Sequence, residues 1–178
     1  MGDGLVSSLA AMVEEAVYGK PPPALEAICG DRYRPYYYLM YQLACSVGVL
    51  LPMGNLVELG VEKGRGCAAL ALGAPRFQVF GVDNVRHPTI TGLQEQFTNF
   101  VFLEQSSTPV PSTIQNQWYG NQVMPISLLH IDTDHTYGQA RNEFQSYEYL
   151  LTSPSVVLFD DTHAEADDVA RFIVGLHH

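Results

Sequence analysis

Four aspartates stand at the ends of two short apolar runs. Ile126–Ile131 is followed by Asp132 and Asp134, and Ser155–Phe159 by Asp160 and Asp161. Each run reads as a buried strand that stops abruptly in carboxylates. If the strands are parallel, their carboxyl ends share one edge of the sheet, where ligands bind. Carboxylates gathered there repel one another and raise each other's pKa unless a cation neutralises them. The chemistry expected is therefore an oxygen-ligand site for Mg²⁺, Ca²⁺ or Mn²⁺. A single such aspartate reads as a solvated strand-end cap, but four in two matched positions favour a metal site.

A second constellation lies upstream. Val57-Glu58-Leu59-Gly60-Val61-Glu62-Lys63-Gly64-Arg65-Gly66 falls where a strand turns into a helix. Glycines there let the backbone approach a ligand, and the helix start offers free N–H groups. About twenty residues on, the next strand ends in Gly81-Val82-Asp83-Asn84, where a carboxylate commonly holds the two ribose hydroxyls of an adenosine-type cofactor. Two cofactors compete. The glycine spacing resembles that of short-chain dehydrogenases, which bind NAD(P), but their Tyr-x-x-x-Lys pair is missing. The residues four before Lys20 and Lys63 are Ala16 and Leu59. S-adenosylmethionine fits better, because Glu58 could take the ammonium of its methionine moiety.

The elements that must position these groups alternate in type. A helix is expected over about 4–18, with Lys20-Pro21-Pro22-Pro23 as a stiff link. A second runs from about Pro35 to Val47, closed by Gly48. Strands follow at 55–59, 77–82, 100–103, 125–131 and 155–159, with helices to about Leu72 and over Gln139–Leu151. The weakest stretch, 105–124, reads as loop with at most a short helix. This rhythm predicts an α/β, Rossmann-like, doubly wound parallel sheet with helices on both faces. An N-terminal helical extension over 1–33 and a cofactor-binding domain over 34–178 are the expected domains.

The formal charge of −10, with only two lysines, argues against nucleic acid and anionic membranes as partners. Met1–Val6 has no basic stretch of the signal-peptide kind and misses the myristoylation pattern. Three cysteines without metal-ligand spacing read as reduced thiols in a cytoplasmic protein.

With these residues in view, the chain resembles class I S-adenosylmethionine-dependent methyltransferases. Within them it is most similar to the metal-dependent small-molecule O-methyltransferases that include macrolide-sugar and cephalosporin-biosynthesis enzymes. Three segments carry the resemblance: Val57–Gly66, although the family often has Ser or Thr where Gly66 stands; His130-Ile131-Asp132-Thr133-Asp134-His135-Thr136-Tyr137; and Val157-Leu158-Phe159-Asp160-Asp161-Thr162-His163. The resemblance spans about residues 34–175. It implies strand order 3-2-1-4-5. Glu58, Gly60 and Gly64 would face the methionine end of the cofactor, with Gly66 in the same loop. Asp83, with Asn84 beside it, would face the ribose, and Ser106 or Ser107 the adenine. Asp132, Asp160 and Asp161 match the metal ligands, and Asp134 or His135 the general base. The family's fold normally adds two antiparallel strands after the fifth helix, and this sequence stops at His178 before them. The fifth strand, Ser155–Phe159, is therefore expected to be an apolar edge covered by a partner chain or another segment, which would allow a homo-oligomer.

The expected activity is methyl transfer to a small-molecule hydroxyl, assisted by a divalent cation. A haloacid-dehalogenase-type phosphatase is rejected, because no lysine follows Lys63. A metal-dependent glycosyltransferase using Asp132 and Asp134 leaves the glycine turn unexplained. A non-catalytic or divergent cofactor-binding protein of the same fold is the remaining alternative. His163 reads as a loop residue, and Tyr36, Tyr37, Tyr38 and Tyr41 read as core and surface aromatics.

Overall fold

A computed structural model describes residues 11, 12, 14, 15, 18–29, 35–134 and 136–160, with the backbone alone at Tyr119. The expected helix at 4–18 is seen only in its described residues 11, 12, 14, 15 and 18, which are helical. Helix α1 is Pro23–Cys29 and α2 is Pro35–Leu50. Both open on a proline, whose fixed φ and missing N–H suit the first helical position. Gly48 does not close α2 as expected. A glycine costs a helix only about 1 kcal/mol, and the chain continues until Leu51 N–H bonds Val47 O at 2.9 Å and Pro52 follows.

Strand β1 (Asn55–Leu59) leads into α3 (Arg65–Gly73), β2 (Gln78–Asp83), α4 (Thr89–Gln96) and β3 (Phe100–Glu104). A short helix, α5 (Ser112–Gln115), comes next. Two-residue strands β4 (Trp118–Tyr119) and β5 (Gln122–Val123) then form an antiparallel hairpin around Gly120. Sequence reading missed that hairpin, because strands so short leave no alternation to detect. Strand β6 (Ile126–Ile131), helix α6 (Tyr137–Tyr147), a 3₁₀ turn (Glu148–Leu150) and β7 (Leu151–Phe159) complete the described chain. Thr136 caps α6, accepting from Gln139 N–H at 3.2 Å. β7 begins four residues earlier than expected. Thr152-Ser153-Pro154 reads as loop, yet a sheet edge tolerates proline.

The main sheet is parallel throughout, in the order β3-β2-β1-β6-β7. With the hairpin counted, the expected 3-2-1-4-5 becomes 3-2-1-6-7. Successive strand residues point to opposite faces. Leu56, Val79 and Leu128 pack with α1, α2 and α3, while Val57, Phe80, Val82, Leu129 and Ile131 pack with α5, Tyr147 and Leu150. The chain leaves β1 toward β2 and later returns to β6 on its other side. A crevice therefore opens beyond the carboxyl ends of β1 and β6. Residues 161–178, with Asp161 and His163, lie outside the described residues, as does His135. Among the described residues, no helix is long and apolar enough to cross a membrane.

Candidate active site

The crevice holds a cavity of about 610 Å³, lined by the glycine turn, the end of β2 and the loop after β6. Gly60 has φ +82°, and a Cβ there would sit 1.7 Å from Asp132 O. Only glycine lets the ends of β1 and β6 approach this closely, with Asp132 N–H bonding Leu59 O at 2.8 Å. Asp83 organises the same turn. Its Oδ2 accepts from Val61 N–H at 2.8 Å and Glu62 N–H at 3.1 Å, and its Oδ1 accepts from Val85 N–H at 3.1 Å. The carboxylate thus pins the turn from inside while it lines the cavity beside exposed Asn84.

Glu58 lies on the α2–α3 face of β1, 3% exposed. A Cβ on Gly66 would fall 1.9 Å from Glu58 Oε1. Glycine at position 66 therefore has a local cause: the Glu58 carboxylate occupies the space of a side chain. Glu58 Oε1 accepts from His130 Nδ1 at 3.1 Å, and the two residues face each other across the β1–β6 ladder. His130 Nε2 in turn bonds the Tyr36 hydroxyl from α2. Burial, reinforced by Asp160, Glu58 and Asp132, pushes the Tyr36 phenol far above its ordinary pKa. It therefore keeps its proton; where it gives that proton to Nε2, the ring proton stands on Nδ1 and faces Glu58. Glu58 Oε2 is buried with no hydrogen-bond partner among the described residues. It faces a cleft of about 20 Å³, bordered by Tyr37, Arg65, Gly66 and Asp132, which adjoins the main cavity at Gly60 and Glu62. That cleft has room for little more than one water molecule.

Asp132 and Asp160 meet as the sequence predicts. Backbone bonds from Asp132 N–H to Leu59 O and from Asp160 N–H to Ile131 O extend the parallel ladder one residue past each strand. The two carboxyl groups hydrogen-bond each other. Burial first, and then the charge of Asp160, raise the pKa of Asp132 to about 7. Asp134 is exposed on the wall of the cavity that Asp132 also lines. Among the described residues, no three side chains converge as a metal cluster; Asp161, the third expected ligand, lies outside them.

Ser106 and Ser107 part company. Ser106 is exposed and absent from the cavity lining, whereas Ser107 is buried and lines it. The Ser107 hydroxyl donates to Glu143 Oε1 at 2.5 Å. Thr133 Oγ1 donates to Glu143 Oε2 at 2.7 Å, and Gln139 Nε2 to Glu143 Oε1 at 2.7 Å. The Tyr147 hydroxyl donates to Ser107 O at 2.8 Å. Sequence reading missed Glu143. Its signal was an acidic residue among the buried positions of α6, beside Ala140 and Tyr147.

A parallel sheet in this order, with a glycine turn after β1 and a pinned carboxylate after β2, defines a nucleotide-cofactor α/β fold. A sequence family described as a methyltransferase domain matches residues 57–162, more than half of the chain, so the chain belongs to that family and is a methyltransferase. No curated protein matches it in sequence. Among solved structures, it is similar to the apo form of CalS11, a TDP-rhamnose 3′-O-methyltransferase of calicheamicin biosynthesis. That similarity has 17% identity and a TM-score of 0.62, over 99% of this chain and 87% of that one. It is also similar to the O-methyltransferase TomG from Streptomyces achromogenes, in complex with SAM (14% identity, TM-score 0.65, 99% and 87% covered). An O-methyltransferase from Bacillus cereus in complex with SAH shares 15% identity at TM-score 0.65, over 96% of this chain and 79% of that one. At these identities the likeness is one of fold.

Proposed function

We propose that the protein transfers a methyl group from S-adenosylmethionine to a hydroxyl of a small molecule, with a divalent cation, Mg²⁺ or Mn²⁺, at Asp132 and Asp160. The observation that carries this reading is the buried Glu58 Oε2, without a partner among the described residues, in a small cleft next to the cavity that Asp83 and Asp132 line. A buried oxygen without a donor is costly, and a ligand ammonium would satisfy it. The donor set also fits the cation. Two carboxylates that share a site and resist joint ionisation suit Mg²⁺, which is commonly held by one or two carboxylates and completed by water. Asp161 is the further ligand this reading adds.

When bound, S-adenosylmethionine supplies the methyl group and the leaving group, and the cation supplies positive charge that favours an ionised acceptor hydroxyl. The protein's part is positioning and proton handling. Asp83, beside Asn84, accepts from the ribose hydroxyls while its bonds to the Val61 and Glu62 N–H groups hold the turn rigid. Gly60, Gly64 and Gly66 let the backbone come close. Glu58 takes the ammonium once Tyr37 and Arg65 at the mouth of its cleft move aside. Ser107 walls the cavity at the adenine end. Asp134 or His135 takes the acceptor proton, a role typically worth 10²–10⁴-fold in rate. The acidic surface and the free thiols of Cys29, Cys45 and Cys67 favour a cytoplasmic setting without nucleic acid or membrane partners. β7 is an edge strand among the described residues, which favours a homo-oligomer. The domain assignment of 1–33 as an extension of the 34–178 catalytic unit belongs to the same proposal.

Calorimetry with S-adenosylhomocysteine tests the cofactor. Wild type should bind, and Asp83→Ala should weaken binding by about 1.5–3 kcal/mol, the range for charge-assisted hydrogen bonds. No heat and no thermal shift for wild type would sink the reading. Mg²⁺ or Mn²⁺ should raise the melting temperature by mass action. An equal rise in Asp160→Asn would place the ions elsewhere.

A further inference from the structure

Glu143 is fully buried on α6 and does not itself line the cofactor cavity. Two of the groups that donate to it do. Ser107 comes from the segment after β3, and Thr133 from the acidic loop after β6. These walls belong to different strand ends, and Ser107 is 36 residues from Glu143 in sequence, against 10 for Thr133. The cavity therefore lies between two segments that one carboxylate ties together, one oxygen to each. Gln139 Nε2 closes the network by donating to Oε1 and, at 3.4 Å, to Ser107 Oγ.

We infer that Glu143 is a positioning residue that sets the spacing of the cavity walls, and through it the affinity for the adenosine end of the cofactor. The inference rests on the cofactor reading above for its ligand, but the clasp itself is a property of the protein alone. The geometry assigns the Ser107 hydroxyl a definite role. Its proton goes to Glu143 and it accepts from Gln139, so its hydroxyl serves the wall and has no proton left for a ligand. It follows that Thr133, next to Asp132 and Asp134, is anchored to the adenine side of the cavity through Glu143. Loosening the clasp then disturbs the acidic loop and the Ser107 wall together.

The test uses Glu143→Gln in the full chain, which preserves shape and removes one acceptor oxygen. Amide hydrogen exchange is read at residues 107–108 and 132–134, with Val79 and Val82 in β2 as internal reference. S-adenosylhomocysteine affinity is measured by calorimetry well below the melting temperature. We expect faster exchange at both walls together, reference amides unchanged, and a Kd raised about tenfold, the size of one charge-assisted hydrogen bond. Adding Ser107→Ala to Glu143→Gln should raise Kd no further, because both changes cut the same tie. If Glu143→Gln does not fold, Thr133→Val removes one tether and is read the same way. A folded variant with wild-type Kd and wild-type exchange at both walls overturns the inference. So does a purely structural outcome, with a lowered melting temperature, exchange raised evenly through the sheet and Kd unchanged. If wild type itself binds no S-adenosylhomocysteine, the cofactor reading fails separately and exchange still decides. Coupled loosening of the two walls upholds the clasp, and loosening confined to α6 refutes it.

Discussion

Two buried acidic clusters flank the same sheet edge, and they are built on opposite terms. On the α6 face, Glu143 receives three donors, and a fourth, from Tyr147, braces Ser107 behind it. On the α2–α3 face, Glu58 keeps one oxygen without a partner among the described residues, and burial together with the charge of Asp160 pushes the Asp132 carboxyl up to about 7. Buried polar networks that are fully satisfied rigidify a fold, and incompletely satisfied ones cost stability. The first cluster is complete without a ligand. On the function proposed above, cations, an ammonium among them, would complete the second. The difference would then separate the face that does chemistry from the face that holds it still.

The comparison breaks most visibly at Glu143. Glu143→Ala would strand the hydroxyls of Ser107 and Thr133 and the amide of Gln139 in a new cavity, and should destabilise the protein by about 3 kcal/mol. Urea unfolding checks it, and a loss below about 1 kcal/mol would mean that the α6 cluster is not the structural one.

Asp132 should behave in the opposite sense. Its folded-state pKa is raised to about 7, above the ordinary carboxylate value, so the folded protein holds this proton more tightly than the unfolded chain. Its contribution to stability is then most favourable below the ordinary carboxylate pKa and declines as pH rises through 7. Without added cation, Asp132→Asn should match wild type near pH 4 and exceed it by on the order of 1–2 kcal/mol at pH 8, allowing for screening by solvent. Denaturant unfolding at the two pH values is the measurement, and a variant less stable than wild type at pH 8 would contradict the comparison.

The smallest effect is expected at Tyr36. Tyr36→Phe removes the donor to His130 Nε2 and should cost about 1 kcal/mol, the net worth of one hydrogen bond. Nitrogen-15 NMR of the His130 ring should report a changed tautomer balance, and an unchanged balance would show that Tyr36 does not set it.

The two clusters also differ in how legible they were. Asp83, Asp132 and Asp160 announced themselves because each stands at a strand end, where the apolar run stops and a charged residue begins, and Glu58 did so as the acidic residue two before the first glycine of the turn. The strands themselves read correctly wherever burial on both faces gave continuous apolar runs. Glu143 gave no comparable signal. It lies within a helix whose surface is otherwise polar, and its role depends on Ser107, brought near only by the β3-to-β6 crossover. The choice between Ser106 and Ser107 was hidden for the same reason: adjacent residues after a strand leave on different sides, and only the packed α6 decides which is used. Residues 105–124 were opaque because a hairpin of two-residue strands has no period to read.

The Tyr36–His130 contact has a kinetic side. It closes a loop of 94 residues, whereas the bonds from Asp83 to the glycine turn close loops of 22 and 21. Closing the longer loop costs about 1.3 kcal/mol more in chain entropy. The half of the site built on β1, α3 and β2 can therefore assemble locally. The His130 and Asp132 half must wait for β6 to dock beside β1, with Glu58 and His130 72 residues apart. A nascent or partly unfolded molecule would regain its cofactor turn first and its acidic centre last.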